Sequence, residues 1–225
     1  MKIRVADYIA DMLVKNGIHH VFSVTGGGAM HLNDGLGHKE GLTCIYNHHE
    51  QACAIAAESY ARINNQIAAV CVTTGPGGTN AITGVLGGWL DSIPMLILSG
   101  QVRYDTTVRS TGLNIRAYGD QEYDIVKMVS NITKYAWMVT DAADIRYCLE
   151  KALYLAKTGR PGPVWLDIPL NVQGAYIETE QLRGYDPLEE QKNVVPKVTD
   201  ELAKEIIAKI RNAKRPVFNL SLIHI

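Results

Sequence analysis

Several signals that would settle a function class at once are missing from this chain. Its four cysteines, Cys44, Cys53, Cys71 and Cys148, show no CxxC spacing and lie in apolar segments. They read as reduced core thiols of a cytoplasmic protein, not as metal ligands or a disulfide framework. There is no run of like charge: 22 Lys and Arg face 23 Asp and Glu, a formal net charge of −1. A basic stripe for nucleic acid is therefore excluded. No uninterrupted apolar stretch is long enough for a membrane, because residues 81–98 are broken by Asp91, Ser92 and Pro94. The opening MKIRVADYIADML is amphipathic, unlike the apolar core of a signal peptide. No Gly-Lys-Ser/Thr follows the glycine turns, so they are not a Walker phosphate loop.

What is present reads as an α/β domain. The chain has 225 residues and is 47% apolar, enough for one domain of ordinary size and part of another. Residues 3–16 place Ala6, Ile9, Ala10, Leu13 and Val14 on one helical face, with Gly17 as the stop. Strands are predicted at 19–24, 42–47, 67–74, 94–100, 134–139 and 162–169, alternating with helical segments. The third is a continuous apolar run, as expected of a parallel strand covered on both faces. Asp141 is placed to cap the helix carrying Ile145, Leu149 and Ala152. The pattern predicts a doubly wound, six-stranded parallel sheet with helices on both faces. Between the fourth and fifth strands, residues 101–122 show no periodicity, which marks a functional or mobile loop.

The chain is organised around NHHEQACAIAAESYAR, residues 47–62. Glu50 opens a helix that Asn47 is placed to cap, and the helix dipole favours an acid there. An ordinary first-turn glutamate would look the same. However, TGGG at 25–28 and TTGPGG at 73–78 follow neighbouring strands, so glycine loops and a carboxylate converge on one edge of the sheet.

FSVTGGGAM, NHHEQACAIAAESYAR, VTTGPGGTNAITGVLGGWLDSIPMLILSGQV, GDQEYDIV, ITKYAWMV and TGRPGPVWLDIPLNV occur in an order that carries a specific resemblance. Over roughly residues 3–170 the chain resembles the N-terminal, pyrimidine-binding domain of thiamine-diphosphate enzymes of the acetolactate synthase and pyruvate oxidase group. The resemblance implies that Glu50 shares a proton with N1′ of the cofactor's aminopyrimidine, favouring the imino form that removes the thiazolium C2 proton. It implies that Gly26 and Gly27 lie near the reactive face, and that Thr74, Gly75, Pro76 and Asn80 line the pyrimidine. Gln121 would reach the substrate. Plainer readings stand beside these. Gly26 and Gly27 would serve a tight turn with positive φ. Residues 74–80 would be a strand-to-helix turn capped by Thr79 or Asn80. His48 and His49 read as structural or cleft-lining, and Trp89, Asp91 and the Arg160 turn as packing.

Two departures stand out. Where the family has Phe-Gln-Glu, this chain has Asp120-Gln121-Glu122, and Ser59 replaces a glycine. The Gly-Asp-Gly and Asn-Asn pair that holds Mg²⁺ in the family does not occur. The domains expected are 1–170 for pyrimidine binding, 171–197 as linker and 198–225 as the start of a central domain. Thr199 begins a helix there, and PVFNL, residues 216–220, reads as a strand. The resemblance implies a carboligase that decarboxylates a 2-oxo acid such as pyruvate and passes the two-carbon unit to an acceptor carbonyl. That acceptor is pyruvate, 2-oxobutyrate or a keto-sugar. Mg²⁺ would bind in a C-terminal domain, FAD is left open, and a second subunit would complete the site in a homo-oligomer. The chain by itself is expected to be inactive. A simple 2-oxo-acid decarboxylase and a non-catalytic cofactor-binding or regulatory module are the alternatives.

Overall fold

Short runs of branched and small apolar residues set the frame of this molecule. A computed structural model of the chain describes residues 1–193 and 197–218. The strands are β1 (Lys2–Arg4), β2 (His20–Ser23), β3 (Thr43–Tyr46), β4 (Ala68–Val72), β5 (Met95–Gln101), β6 (Tyr135–Met138), β7 (Pro163–Pro169) and β8 (Tyr176–Glu178). The helices are α1 (Val5–Lys15), α2 (Met30–Gly37), α3 (Glu50–Asn64), α4 (Pro76–Asn80), α5 (Ile82–Leu90), α6 (Val108–Thr111), α7 (Ile125–Val129), α8 (Ile145–Lys157), α9 (Leu170–Gln173) and α10 (Asp200–Asn212). Strands β2 to β7 form one parallel sheet in the order β3-β2-β4-β5-β7-β6. This is the predicted six-stranded sheet.

Alternation along the central strands divides the core in two. Ala69, Cys71, Leu96, Leu98, Val164 and Leu166 face one side, against Ile9 and Leu13 of α1, Leu32 of α2 and Leu149 of α8. Val70, Val72, Ile97 and Trp165 face the other, against Ala54 and Ala57 of α3, Val85 of α5 and Val129 of α7. Every residue of β4, β5 and β7 is buried. Helices on both faces leave no solvated side, so these strands read as continuous apolar runs. The chain goes from β2 outward to β3 and then back across to β4, so the strand order reverses between β2 and β4. A crevice at the carboxyl ends of the strands is expected there.

Three expectations are corrected. Residues 2–4 form a strand, not the start of a helix, and pair antiparallel with β8. Residues 171–185, read as linker, instead fold onto the first compact unit, which runs from Met1 to Tyr185. Ile177 and Leu182 are buried in it. Three-residue strands are too short to show a period, so neither half of this ribbon was legible alone. The cap of α3 is His49, whose Nδ1 accepts from the Gln51 amide at 3.1 Å, while Asn47 Nδ2 contacts Cys53 Sγ. Asp141 accepts from Ala143 and so caps the short turn before α8, while α8 itself starts after Asp144 without a side-chain cap.

A second unit begins at Asp186. Thr199 caps α10 by accepting from Leu202 at 3.2 Å, as the sequence suggested. Of the strand expected at 216–220, residues 216–218 are irregular and the remainder lies outside the described residues.

Candidate active site

At the carboxyl edge, an open cavity of about 810 Å³ lies where the strand order reverses. Segments following four strands wall it: 26–28 after β2, 73–74 after β4, 102–121 after β5 and Leu170 after β7. Of the expected site residues, Gly26, Gly27, Thr74 and Gln121 line this cavity. Glu50, Pro76 and Asn80 do not line it. Gly75 does not line it either, and Asn80 Nδ2 donates to Glu50 Oε2 at 3.0 Å.

Glu50 is only 9% exposed at the first turn of α3. Oε1 has no donor among the described residues and faces Gly77, where an added Cβ would stand 3.4 Å away. The site thus holds one carboxylate oxygen fixed by an amide and one open to a ligand's hydrogen-bonding group. That fits a nitrogen heterocycle that shares a proton with a carboxyl.

Gly26 and Gly27 do not have positive φ, so the tight-turn reading of this pair is corrected. Gly26 is extended, and a Cβ there would lie 2.5 Å from that of Thr73. At Gly27 a Cβ would meet nothing within 4 Å. The first is a packing requirement, whereas the second leaves backbone bare toward the cavity. Gly75 is the turn's strained position: φ is 55°, and a Cβ would fall 2.4 Å from the Gln121 carbonyl oxygen. Pro76 follows at the first position of α4, and neither Thr79 nor Asn80 caps this helix. Gly75→Ala is expected to destabilise the protein by about 1–3 kcal/mol through left-handed backbone strain and this clash. Urea unfolding measures it, and an unchanged midpoint would contradict the geometry.

The loop after β5 is ordered from within. Glu122 accepts from the amides of Val108 at 2.6 Å, Tyr118 at 2.9 Å and Gly119 at 3.3 Å. One carboxylate therefore gathers three backbone donors and holds Tyr118, Gly119 and Asp120 against the cavity. Gln121 adopts φ 57°, a left-handed turn beside Gly75. Glu122→Ala is expected to raise trypsin cleavage after Arg109 and Arg116 about tenfold with little change in global unfolding, because only the loop loses its partners. Equal digestion rates would refute this anchoring.

Beneath the cavity lies a polar network inside an apolar sheet. Trp165 Nε1 donates to Ser99 Oγ at 2.7 Å, and Ser99 donates to Asp167 Oδ1 at 2.6 Å. Gln101 Nε2 donates to Asp167 Oδ2 at 3.0 Å, and Gln101 Oε1 accepts from Thr74 Oγ1 at 2.5 Å. Asp167 is wholly buried. Burial pushes its carboxyl up to about 7, while the Ser99 and Gln101 hydrogen bonds pull it down.

Sequence reasoning missed Thr73, Ser99, Gln101, Glu122 and Asp167 as parts of the site's scaffold. A signal existed for one of them: Asp167 is a lone acid in VWLDIP, whereas Ser99 shows its role only through the β5–β7 register that sets it opposite Asp167. Thr73 carried none, because its role depends on Gly26 and Gly77 closing from both sides.

Comparison with known proteins gives the family. Residues 3–128 match the family described as "Thiamine pyrophosphate enzyme, N-terminal TPP binding domain". The chain is 34% identical over 209 residues to the acetolactate synthase large subunit of Lactococcus lactis, covering 93% of this chain and 35% of that protein. It is 35% identical over 189 residues to the acetolactate synthase isozyme 3 large subunit of Escherichia coli, covering 81% and 32%. With the chloroplastic acetolactate synthase of Arabidopsis thaliana, identity is 32% over 218 residues, covering 94% and 30%. The chain spans about a third of the length of these relatives.

Proposed function

Because the chain belongs to the thiamine pyrophosphate enzymes, as an N-terminal TPP-binding domain, we propose that it contributes the pyrimidine side of the active site of an acetolactate synthase-like carboligase. The observation that carries this reading is Glu50, nearly buried, with Oε2 held by Asn80 and Oε1 open. When bound, thiamine diphosphate supplies the electron sink for decarboxylating a 2-oxo acid and passing on a two-carbon unit. Glu50 would hold or release a proton at the pyrimidine nitrogen. Asn80 orients the carboxyl, and Gly75 and Pro76 shape the turn beside it. Gly26, Gly27 and Thr74 bound the cavity on the reactive side, and Gln121 faces the substrate.

Pyruvate is the donor proposed. For the acceptor, Asp120 gives a specific indication. It lines the cavity with no ion-pair partner among the described residues. A carboxylate there opposes a second 2-oxo acid and can accept from hydroxyl groups, which favours a keto-sugar over pyruvate or 2-oxobutyrate. Mg²⁺ and any FAD are assigned to segments of the protein outside this chain. A second copy is proposed to complete the site, supported by Ile55, Ile63, Leu86 and Leu90, which are exposed on α3 and α5. Among the described residues no helix is long and apolar enough to cross a membrane. The free thiols of Cys44, Cys53, Cys71 and Cys148 support a reducing compartment such as the cytoplasm.

The test uses the full-length protein with thiamine diphosphate, Mg²⁺ and pyruvate, with and without candidate acceptors. Release of CO₂ with a product heavier by two carbons than the acceptor supports the carboligase. Acetaldehyde alone would make it a decarboxylase, and cofactor binding without CO₂ would make it a binding module.

A further inference from the structure

The four hydrogen-bonding positions of the Gln101 carboxamide are all used, and they join separate parts of the cavity wall. Nε2 donates to Asp167 Oδ2 at 3.0 Å and to the Tyr123 carbonyl at 2.9 Å. Oε1 accepts from Thr74 Oγ1 at 2.5 Å and from the Val102 amide at 3.0 Å. Val102 begins the loop after β5 and Tyr123 ends it, while Thr74 belongs to the turn beside Glu50. The side chain is 1% exposed.

The orientation of the amide is not free. The Tyr123 carbonyl only accepts and the Val102 amide only donates, so the first must meet the NH₂ end and the second the oxygen. A flipped amide would set oxygen against Asp167 and Tyr123, and NH₂ against the Val102 amide. Ser99 occupies the other Asp167 oxygen, which fixes the carboxylate in turn.

The geometry points to Gln101 as a positioning residue: held by Asp167, it clasps both ends of the 102–123 loop and ties them to the Thr74 turn, setting Gln121 and Tyr118 over the cavity. This rests on the reading of that cavity as the substrate side of a thiamine-diphosphate site, but the clasp itself is testable without it.

The test compares Gln101→Leu, Gln101→Glu and the exchanged pair Gln101→Glu with Asp167→Asn, all in the full-length protein. In the exchanged pair, the amide introduced at position 167 retains an oxygen for Ser99 and donates its NH₂ to the carboxylate introduced at position 101. That carboxylate still accepts from Thr74 and Val102. The buried pairing of one carboxyl group with one amide is restored. The donor to Tyr123 is lost, and a carboxylate oxygen faces that carbonyl in its place. Hydrogen exchange is read at the Val108, Tyr118 and Glu122 amides in the loop, and at Ala69 to Val72 in β4. Gln101→Leu is expected to speed loop exchange about tenfold or more relative to β4. The exchanged pair is expected to recover the urea midpoint lost by Gln101→Glu while its loop amides stay fast.

A merely structural role predicts the opposite, with loop protection returning as stability returns. That result, or an unchanged loop in Gln101→Leu, overturns the clasp. Thiamine diphosphate titrated with Mg²⁺ is the second readout, expected to bind about tenfold more weakly to the exchanged pair. If the wild type does not bind it at all, the functional reading falls while the exchange data still decide the clasp.

Discussion

Glu50→Gln in the full-length protein is expected to lower CO₂ release from pyruvate by about 10²- to 10⁴-fold, the range associated with a lost proton-transfer group. Cofactor affinity should change far less. The reason lies in the two carboxylate oxygens. Asn80 Nδ2 donates to Oε2, so the amide oxygen of the substituted side chain takes that place. Its NH₂ then stands where Oε1 faced Gly77. The side chain keeps its volume, its packing at the start of α3 and one hydrogen bond. It loses the capacity to hold or release a proton. Steady-state CO₂ assays beside a titration of thiamine diphosphate separate the two effects. Full activity in the variant would remove Glu50 from the chemistry, whereas loss of cofactor binding alone would reduce it to a contact.

The second large effect is a stability that depends on pH through Asp167. The unfolded carboxyl titrates near 3.8, and the folded one is pushed up to about 7 by burial. Between these values the folded protein holds the proton more tightly. The stability linked to that proton is complete below the unfolded value and is lost as pH rises through the folded one. From pH 5 to pH 8 the loss amounts to about 3 kcal/mol. Asp167→Asn has nothing to titrate, so this component should vanish and its advantage over the wild type should grow by that amount. Urea midpoints at four pH values between 5 and 8 provide the check. Parallel curves for the two proteins would mean that the carboxyl stays ionised throughout.

Most of the sheet was legible because it is buried on both faces, which turns β4, β5 and β7 into apolar runs that glycine turns punctuate. Glu50 stands out through the family resemblance, because an acid that opens a helix directly after a strand is by itself no different from an ordinary first-turn glutamate. What escaped depends on partners far away in sequence. His49, not Asn47, caps α3 because the backbone turns only after residue 48, a difference of two positions that composition does not settle. Gln101 reads as the start of the irregular loop and Asp167 as part of an apolar strand, yet the two bond each other and reach Ser99, Thr74, Val102 and Tyr123. The linker reading of 171–185 failed for the same reason, since its strand partner is the opening of the chain.

That ribbon has a consequence for the order of events as the chain is made. Lys2 aligns with Glu178 and Arg4 with Tyr176, so the first strand has no partner until nearly the whole unit has been synthesised. Closing so long a segment carries an entropic cost that the two short strands alone do not offset. The ribbon should therefore be the last part to form during translation and the first to fray, even though it joins residues from the earliest part of the chain. A nascent chain that had emerged only as far as residue 170 would hold the six parallel strands with β1 still unpaired. Completion of the fold would wait for the next fifteen residues, 171–185, to emerge.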